Sequence, residues 1–169
     1  VGGYCGGRLA AAGHDVTFVA RGEHLRAIRE RGLTVKSILG DFHIAGAKAT
    51  DAIGGLERPD LVVLGVKAWQ VKGVAEELRG VVGERTTVLP LQNGVMAAQE
   101  VDEALGPGRA VGGLCRILSR IESPGVILHS GLEPFIAFGE MDGRRTGRCL
   151  EIRDCLAGAG ISVLLEDDI

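Results

Sequence analysis

The sequence is short of the features that mark several functional classes. Its 19 Lys and Arg residues are outnumbered by 22 Asp and Glu residues, for a net charge of −3. That balance argues against the basic footprint by which a domain holds nucleic acid. The four cysteines, Cys5, Cys115, Cys149 and Cys155, form neither a CxxC motif nor a metal-ligand spacing. They read as reduced, mostly buried thiols of a cytoplasmic protein. No apolar run approaches the roughly 20 residues of a membrane span, because Arg8 and Gly13 interrupt the opening stretch. No secretory leader, internal repeat or low-complexity tract is legible. Neither a Ser/His/Asp nor a Cys/His nucleophile arrangement, nor a carboxylate pair, has supporting context. His43 and His129 fall on predicted strands, where structural roles are expected, and His24 is expected at the surface.

What the chain has in quantity is glycine, 27 residues in 169. With 46% hydrophobic and 24% charged residues, the composition is that of an ordinary globular protein. The length suits one domain, residues 1–169, burying roughly 70% of its unfolded surface. The densest glycine pattern opens the chain, VGGYCGGRLAAAGHDVTFVAR. Gly2 to Ala12 reads as a helix ended by Gly13, and Val16 to Ala20 as a strand. Gly2, Gly3, Gly6 and Gly7 repeat at i, i+4 and leave one helix face without side chains. Each glycine costs about 1 kcal/mol against alanine in a helix, so the bare face implies close approach to a sheet or a ligand. A helix start also offers unpaired N–H groups and a positive dipole end, which suit phosphate. Val1-Gly2 are positioned to be the last residues of a G-x-G-x-x-G dinucleotide fingerprint, whose earlier glycines and strand would lie upstream.

The rest of the chain alternates strands and helices. Gly22 to Arg31 predicts a short helix with Gly32 as its cap. Leu33 to Thr50 alternates loosely around Gly40-Asp41, which suggests an edge hairpin. Leu61 to Val66 is continuously apolar, as expected for a parallel strand buried on both faces. Val71, Val74, Ala75, Leu78 and Val82 make one helical stripe. Thr86 to Leu91 is a further strand, and Ala97 to Leu105 a helix stopped by Gly106-Pro107. This order is that of a doubly wound, Rossmann-type α/β sheet. Beyond Gly108, the segments Val111 to Ile121, Val126 to His129 and Phe135 to Phe138 suggest an antiparallel extension. A final helix around Cys149, Ile152 and Leu156 precedes a strand at Ile161 to Leu165. Arg144, Arg145 and Arg148 read as a solvated helix start.

In open α/β sheets ligands bind beyond the carboxyl ends of the strands. Arg21, Lys67 and Asn93 each follow a predicted parallel strand and are expected to line one crevice. Arg21 stands where NADP sites place an arginine for the 2′-phosphate, which a planar guanidinium fits; the alternative is a solvated loop arginine. Lys67 suits a phosphate or a carboxylate, or simply reaches solvent. Asn93 suits a ribose hydroxyl, a nicotinamide amide or a substrate carbonyl, or else caps a helix or closes an Asn-Gly turn.

Taken together, VGGYCGGRLAAAGHDVTFVARGEHL, VKAWQV, LPLQNGV, PGVILHSG and the FGE at Phe138 to Glu140 resemble the ketopantoate reductase family. The resemblance runs along essentially the whole chain. It implies an NADPH-dependent, cytoplasmic oxidoreductase of pantothenate synthesis that reduces 2-dehydropantoate, with no nucleic-acid or membrane partner and with a homodimer as a possible assembly. It implies that Val1 and Gly2 close the pyrophosphate loop, Arg21 meets the 2′-phosphate, Lys67 contacts the cofactor, Asn93 touches cofactor and substrate, and Leu118 makes a backbone contact to the cofactor. It also implies a first strand before Val1 and a helical domain after Ile169 that carries the proton-donating lysine, so that no catalytic residue lies in this chain and these residues alone are inactive. Alternative readings are another NADP-dependent 2-oxo-acid reductase of the same architecture and a non-catalytic nucleotide-sensing domain.

Overall fold

The computed structural model describes residues 1–169. Its first helix, α1 (Gly2–Ala11), begins at Val1 and ends two residues before Gly13, which takes φ +93°. The glycine face behaves as its spacing predicts. A Cβ on Gly6 would stand 2.7 Å from Phe18 Cε1, and one on Gly3 2.8 Å from Ile127 Cδ1. Alanine at Gly6 would press on the Phe18 ring and alanine at Gly3 would force the Ile127 side chain aside, so close packing explains the tolerance of glycine here.

Strand β1 (Thr17–Val19) leads into α2 (Gly22–Arg31). Gly32 ends that helix at φ +79°, with the Ile44 carbonyl so close that no Cβ fits. β2 (Leu33–Ser37) and β3 (Phe42–Ile44) then form the expected hairpin, its turn held by Ser37 N donating to Asp41 Oδ1 at 2.8 Å. β4 (Lys48–Thr50) leaves that hairpin and runs parallel to β1. β5 (Leu61–Leu64) and β6 (Thr87–Pro90) form a second parallel ladder, with Leu64 opposite Pro90. Pro90 ends its strand, where a missing N–H costs least. Helices α3 (Val71–Leu78) and α4 (Ala97–Leu105) pack on this ladder. Leu61, Val62 and Val63 are only half-buried, contrary to the expectation of a strand covered on both faces. β5 is hydrogen-bonded to β6 alone, so its other edge has no strand to shield it.

The antiparallel extension is a mixed five-stranded sheet of its own. β7 (Gly112–Ser123) and β8 (Val126–Gly139) form a long hairpin about Pro124-Gly125. β8 runs unbroken through Ser130-Gly131, where the sequence suggested a turn. β2 and β9 (Ser162–Leu165) flank β8 in parallel, β9 following α5 (Gly147–Gly158). Val88 bridges the two layers, donating to Arg109 O at 2.9 Å and accepting from Val111 N at 3.1 Å. Two hydrophobic clusters result. One joins Tyr4, Leu9 and Phe18 to Val35, Ile136 and Phe138 of the mixed sheet and Leu156 of α5. The other holds Leu64, Val88, Val71, Leu78 and Val101 around the β5–β6 ladder. Each such side chain contributes about 1.5–3 kcal/mol when buried. No helix is long and apolar enough to cross a membrane.

Candidate functional site

The site is assembled at the carboxyl ends of the parallel strands, where α1 begins. Val1 O accepts from Tyr4 N and Cys5 N, both at 3.0 Å; the N–H groups of Gly2 and Gly3 have no partner within the helix, as at any helix start. The backbone of Gly65, just after β5, presses against this turn. A Cβ on Gly65 would lie 2.5 Å from Gly2 N and 2.7 Å from Gly2 Cα. That contact fixes the level of α1 against β5 and brings Lys67, two residues on, beside the helix start. Lys67 opens a short 3₁₀ turn (Ala68–Gln70): its N–H donates to Gln70 Oε1 at 3.1 Å, and its side chain is exposed.

The register of β5 against β6 sets the loop Gln92–Met96 next to the Lys67 loop. Asn93 is exposed there. α4 starts at Ala97 with Met96 as its cap, so Asn93 is not a helix cap. Beneath it the Gln92 amide is buried, and neither Oε1 nor Nε2 finds a partner. β7 closes the far side. Gly113 passes against Pro90 O too closely for a Cβ, and Ser119 Oγ lies 2.9 Å from the Val1 nitrogen. Leu118, the residue before Ser119 on this edge strand, passes the start of α1 with its backbone and turns its side chain to the opposite, exposed face. Arg21 caps α2 in extended conformation (φ −135°, ψ 159°), exposed and with no side-chain capping bond. The Gly6–Phe18 contact packs β1 against α1, and Arg21 follows the carboxyl end of β1.

The structure thus brings Gly65, two residues before Lys67, against Gly2, and Ser119, next to Leu118, against Val1, with Asn93 in the loop after β6, the strand paired with β5, and Arg21 following β1. Other expectations need correction. Arg148 is not a solvated helix-start residue. Its Nε donates to Glu140 Oε1 at 2.7 Å, its Nη2 to Glu140 Oε2, and its Nη1 to Gly108 O at 2.6 Å. Thr146, the α5 cap, adds a 2.5 Å bond to Glu140 Oε1. These bonds, Arg148's first, outweigh desolvation and hold the Glu140 carboxyl at about 2. Arg144 and Arg145 do pair at the surface, with Asp142 and Asp167. His24 is half-buried rather than superficial: its Nδ1 accepts from Gly125 N at 3.0 Å, and burial lowers its pKa. Cys5 and Cys149 are buried and Cys115 and Cys155 half-buried, all free. Sequence reasoning passes over Asp102, whose carboxylate receives the N–H groups of Gly108, Arg109 and Ala110 at 2.7–2.9 Å. Its acidic side chain six residues before Gly108 was the available cue.

Parallel strands feeding helices, with a glycine-rich helix start and a basic, polar rim at their carboxyl ends, define a Rossmann-type domain. The ketopantoate reductase PanE/ApbA family model matches residues 1–143. The chain belongs to that family. A 2-dehydropantoate 2-reductase of Mesorhizobium japonicum is 30% identical over 190 aligned positions, covering 100% of this chain and 58% of the relative. One from Pyrococcus horikoshii is 37% identical over 127 positions, covering 75% of this chain and 40% of its own. The crystal structure of the Geobacter metallireducens 2-dehydropantoate 2-reductase superposes with a TM-score of 0.90 at 34% identity, over 97% of this chain and 54% of that one. The chain spans about half the length of the curated relatives it matches.

Proposed function

We propose that this chain is the cofactor-binding part of an NADPH-dependent reductase that converts 2-dehydropantoate to pantoate in the cytoplasm. The observation that supports the cofactor best is Arg21, an exposed guanidinium without a capping bond, directly after the parallel strand β1. The remaining residues fit a dinucleotide. Gly65 packs backbone to backbone against Gly2, so that an added Cβ would displace the helix start. The N–H groups of Gly2 and Gly3, beside Val1, take the pyrophosphate, and Lys67 balances its charge. Arg21 takes the 2′-phosphate in a charge-assisted, bidentate fashion. Asn93 is placed to orient the substrate carbonyl and the cofactor, and the Leu118 backbone offers polar groups along the strand edge.

When bound, NADPH supplies the hydride, and the protein supplies position and charge. The carbonyl oxygen becomes an alkoxide that needs a proton. Asn93 has none to give at neutral pH, and Lys67 is committed to phosphate. We therefore assign the donor to a lysine outside residues 1–169, in the helical domain that the resemblance implies, and expect these residues alone to be inactive. A positioned acid of this kind contributes about 10²–10⁴-fold.

The test is a cofactor titration of the intact protein, with turnover of 2-dehydropantoate measured alongside. Losing a charged hydrogen-bond set of about 1.5–3 kcal/mol, Arg21→Ala should weaken NADPH binding roughly 10- to 100-fold and leave NADH nearly unchanged. Equal losses for both cofactors would remove the 2′-phosphate assignment. Failure of the wild type to oxidise either cofactor with 2-dehydropantoate would overturn the reaction.

A further inference from the structure

Along the chain no cysteine neighbours a histidine, yet the fold makes such a pair from Cys155 of α5 and His14 of the α1–β1 turn. Cys155 Sγ stands 3.6 Å from His14 Nε2 and 3.9 Å from Nδ1. Two helix ends hold the pair together. Gly13 and Gly160 close α1 and α5 at φ +93° and +74°. The residue after each donates its N–H back into its helix, His14 to Leu9 O and Ile161 to Leu156 O, both at 3.1 Å. A Cβ on Gly160 would lie 3.8 Å from the Arg8 guanidinium, so the end of α5 rests against α1. His14 leaves the one turn directly, and Cys155 stands in the last turn before the other.

Among the four cysteines, this thiol alone faces a base. Cys5 is buried, and burial before all else pushes its thiol up to about 12. Cys149 is buried and donates to Glu140 Oε1 at 3.5 Å. Cys115 is half-buried, and the remaining imidazoles, His24, His43 and His129, are engaged by Gly125 N, Thr34 Oγ1 and Ser37 Oγ. Burial also raises the Cys155 thiol, so the resting pair is a thiol beside an imidazole. With sulfur near both ring nitrogens, whichever one lacks its hydrogen can take the thiol proton. The imidazolium so formed lies at the carboxyl end of α1, where the helix dipole favours positive charge. The pair is also accessible. Cys155 is half-buried, and His14 is exposed and lines an open cleft of about 140 Å³ with Val16, Phe18, Ile44 and the Asp15–Lys48 ion pair. This cleft lies where the chain enters β1, whereas Arg21 follows the strand's carboxyl end.

We propose that Cys155 and His14 form a thiol-exchange site for small disulfides, separate from the cofactor site and independent of the reductase reading. His14 takes the thiol proton, and the Cys155 thiolate attacks one sulfur of the disulfide. The old S–S bond breaks as the new one forms, and the departing thiolate takes the proton from the imidazolium. Cys155 ends oxidised in a mixed disulfide, and half of the reagent leaves reduced, as a thiol. The test exposes the reduced, intact protein to glutathione disulfide at neutral pH and maps the adducts by peptide mass. Cys155 should be modified before Cys5, Cys115 and Cys149, and Cys155→Ser should remove that first adduct while leaving the slower ones. A positioned base contributes about 10²–10⁴-fold, so His14→Gln, whose amide takes no proton, should slow the Cys155 adduct by at least about 10-fold. His14→Ala should match it, since the turn is held by the His14 N–H rather than its side chain. Melting temperatures measured alongside should stay at the wild-type value in both variants. Glutathione appearing first on Cys115, or a Cys155 rate unmoved by either His14 variant, would overturn the proposal.

Discussion

Gly65→Ala is the sharpest probe of how the fold sets the start of α1, to which we assign the pyrophosphate. No positive φ holds glycine there, so the substitution acts through space alone. Its Cβ would arrive 2.5 Å from Gly2 N and 2.7 Å from Gly2 Cα. Ordinary contact lies near 3.5 Å, so the start of α1 must retreat by about 1 Å. Both obstructing atoms are backbone, and no rotamer relieves them. The retreat also loosens the glycine face against Phe18 and Ile127. Overpacking of this type costs about 1–3 kcal/mol. The functional loss should be larger, since a misplacement of about 1 Å can cost roughly 100-fold in rate. Gly73→Ala is the control: it sits in α3 with nothing within 4 Å of the added Cβ. It should gain up to about 1 kcal/mol from helix propensity. Urea unfolding and NADPH titration of the two intact variants decide the matter. Wild-type stability and affinity in Gly65→Ala would mean that the Gly2–Gly65 contact does not position the proposed phosphate site.

Two further outcomes are expected. Because Met96 rather than Asn93 caps α4, Asn93→Ala should change stability by no more than about 0.5 kcal/mol, while kcat/KM falls well beyond that. Asn93→Ser should not rescue activity; rescue, or a large drop in melting temperature, would return Asn93 to a structural role. Glu140 titrates at about 2 rather than 4.5, chiefly through Arg148. Its folded pKa is depressed, so its contribution is complete above pH 4.5 and is lost as pH falls from 4.5 to 2. Arg148→Met should flatten that acid limb of the stability–pH curve and cost about 3 kcal/mol at neutral pH. An unchanged limb would show that the pair contributes nothing net.

The order of elements and the helix that matters most were readable along the chain alone. Glycine spacing and apolar periodicity act between neighbours a few residues apart, so α1, the α3 stripe and the strands before Arg21, Lys67 and Asn93 were legible along the chain. The resemblance then named the family that the model match bears out. What tertiary structure decided are relations between residues distant in the chain. Lys48–Thr50 left its hairpin for β1, because edge pairing depends on which strand edge lies open, and composition carries no record of that. Arg148 looked like one of three solvated arginines until the fold carried Glu140 to it. Ser130-Gly131 reads as a turn in any sequence, and becomes a bulge only because β7 continues past it and His129 ties it down. Local spacing governs backbone conformation over one or two turns; which charge meets which, and which side chain is aimed where, follows from packing distant segments into one volume.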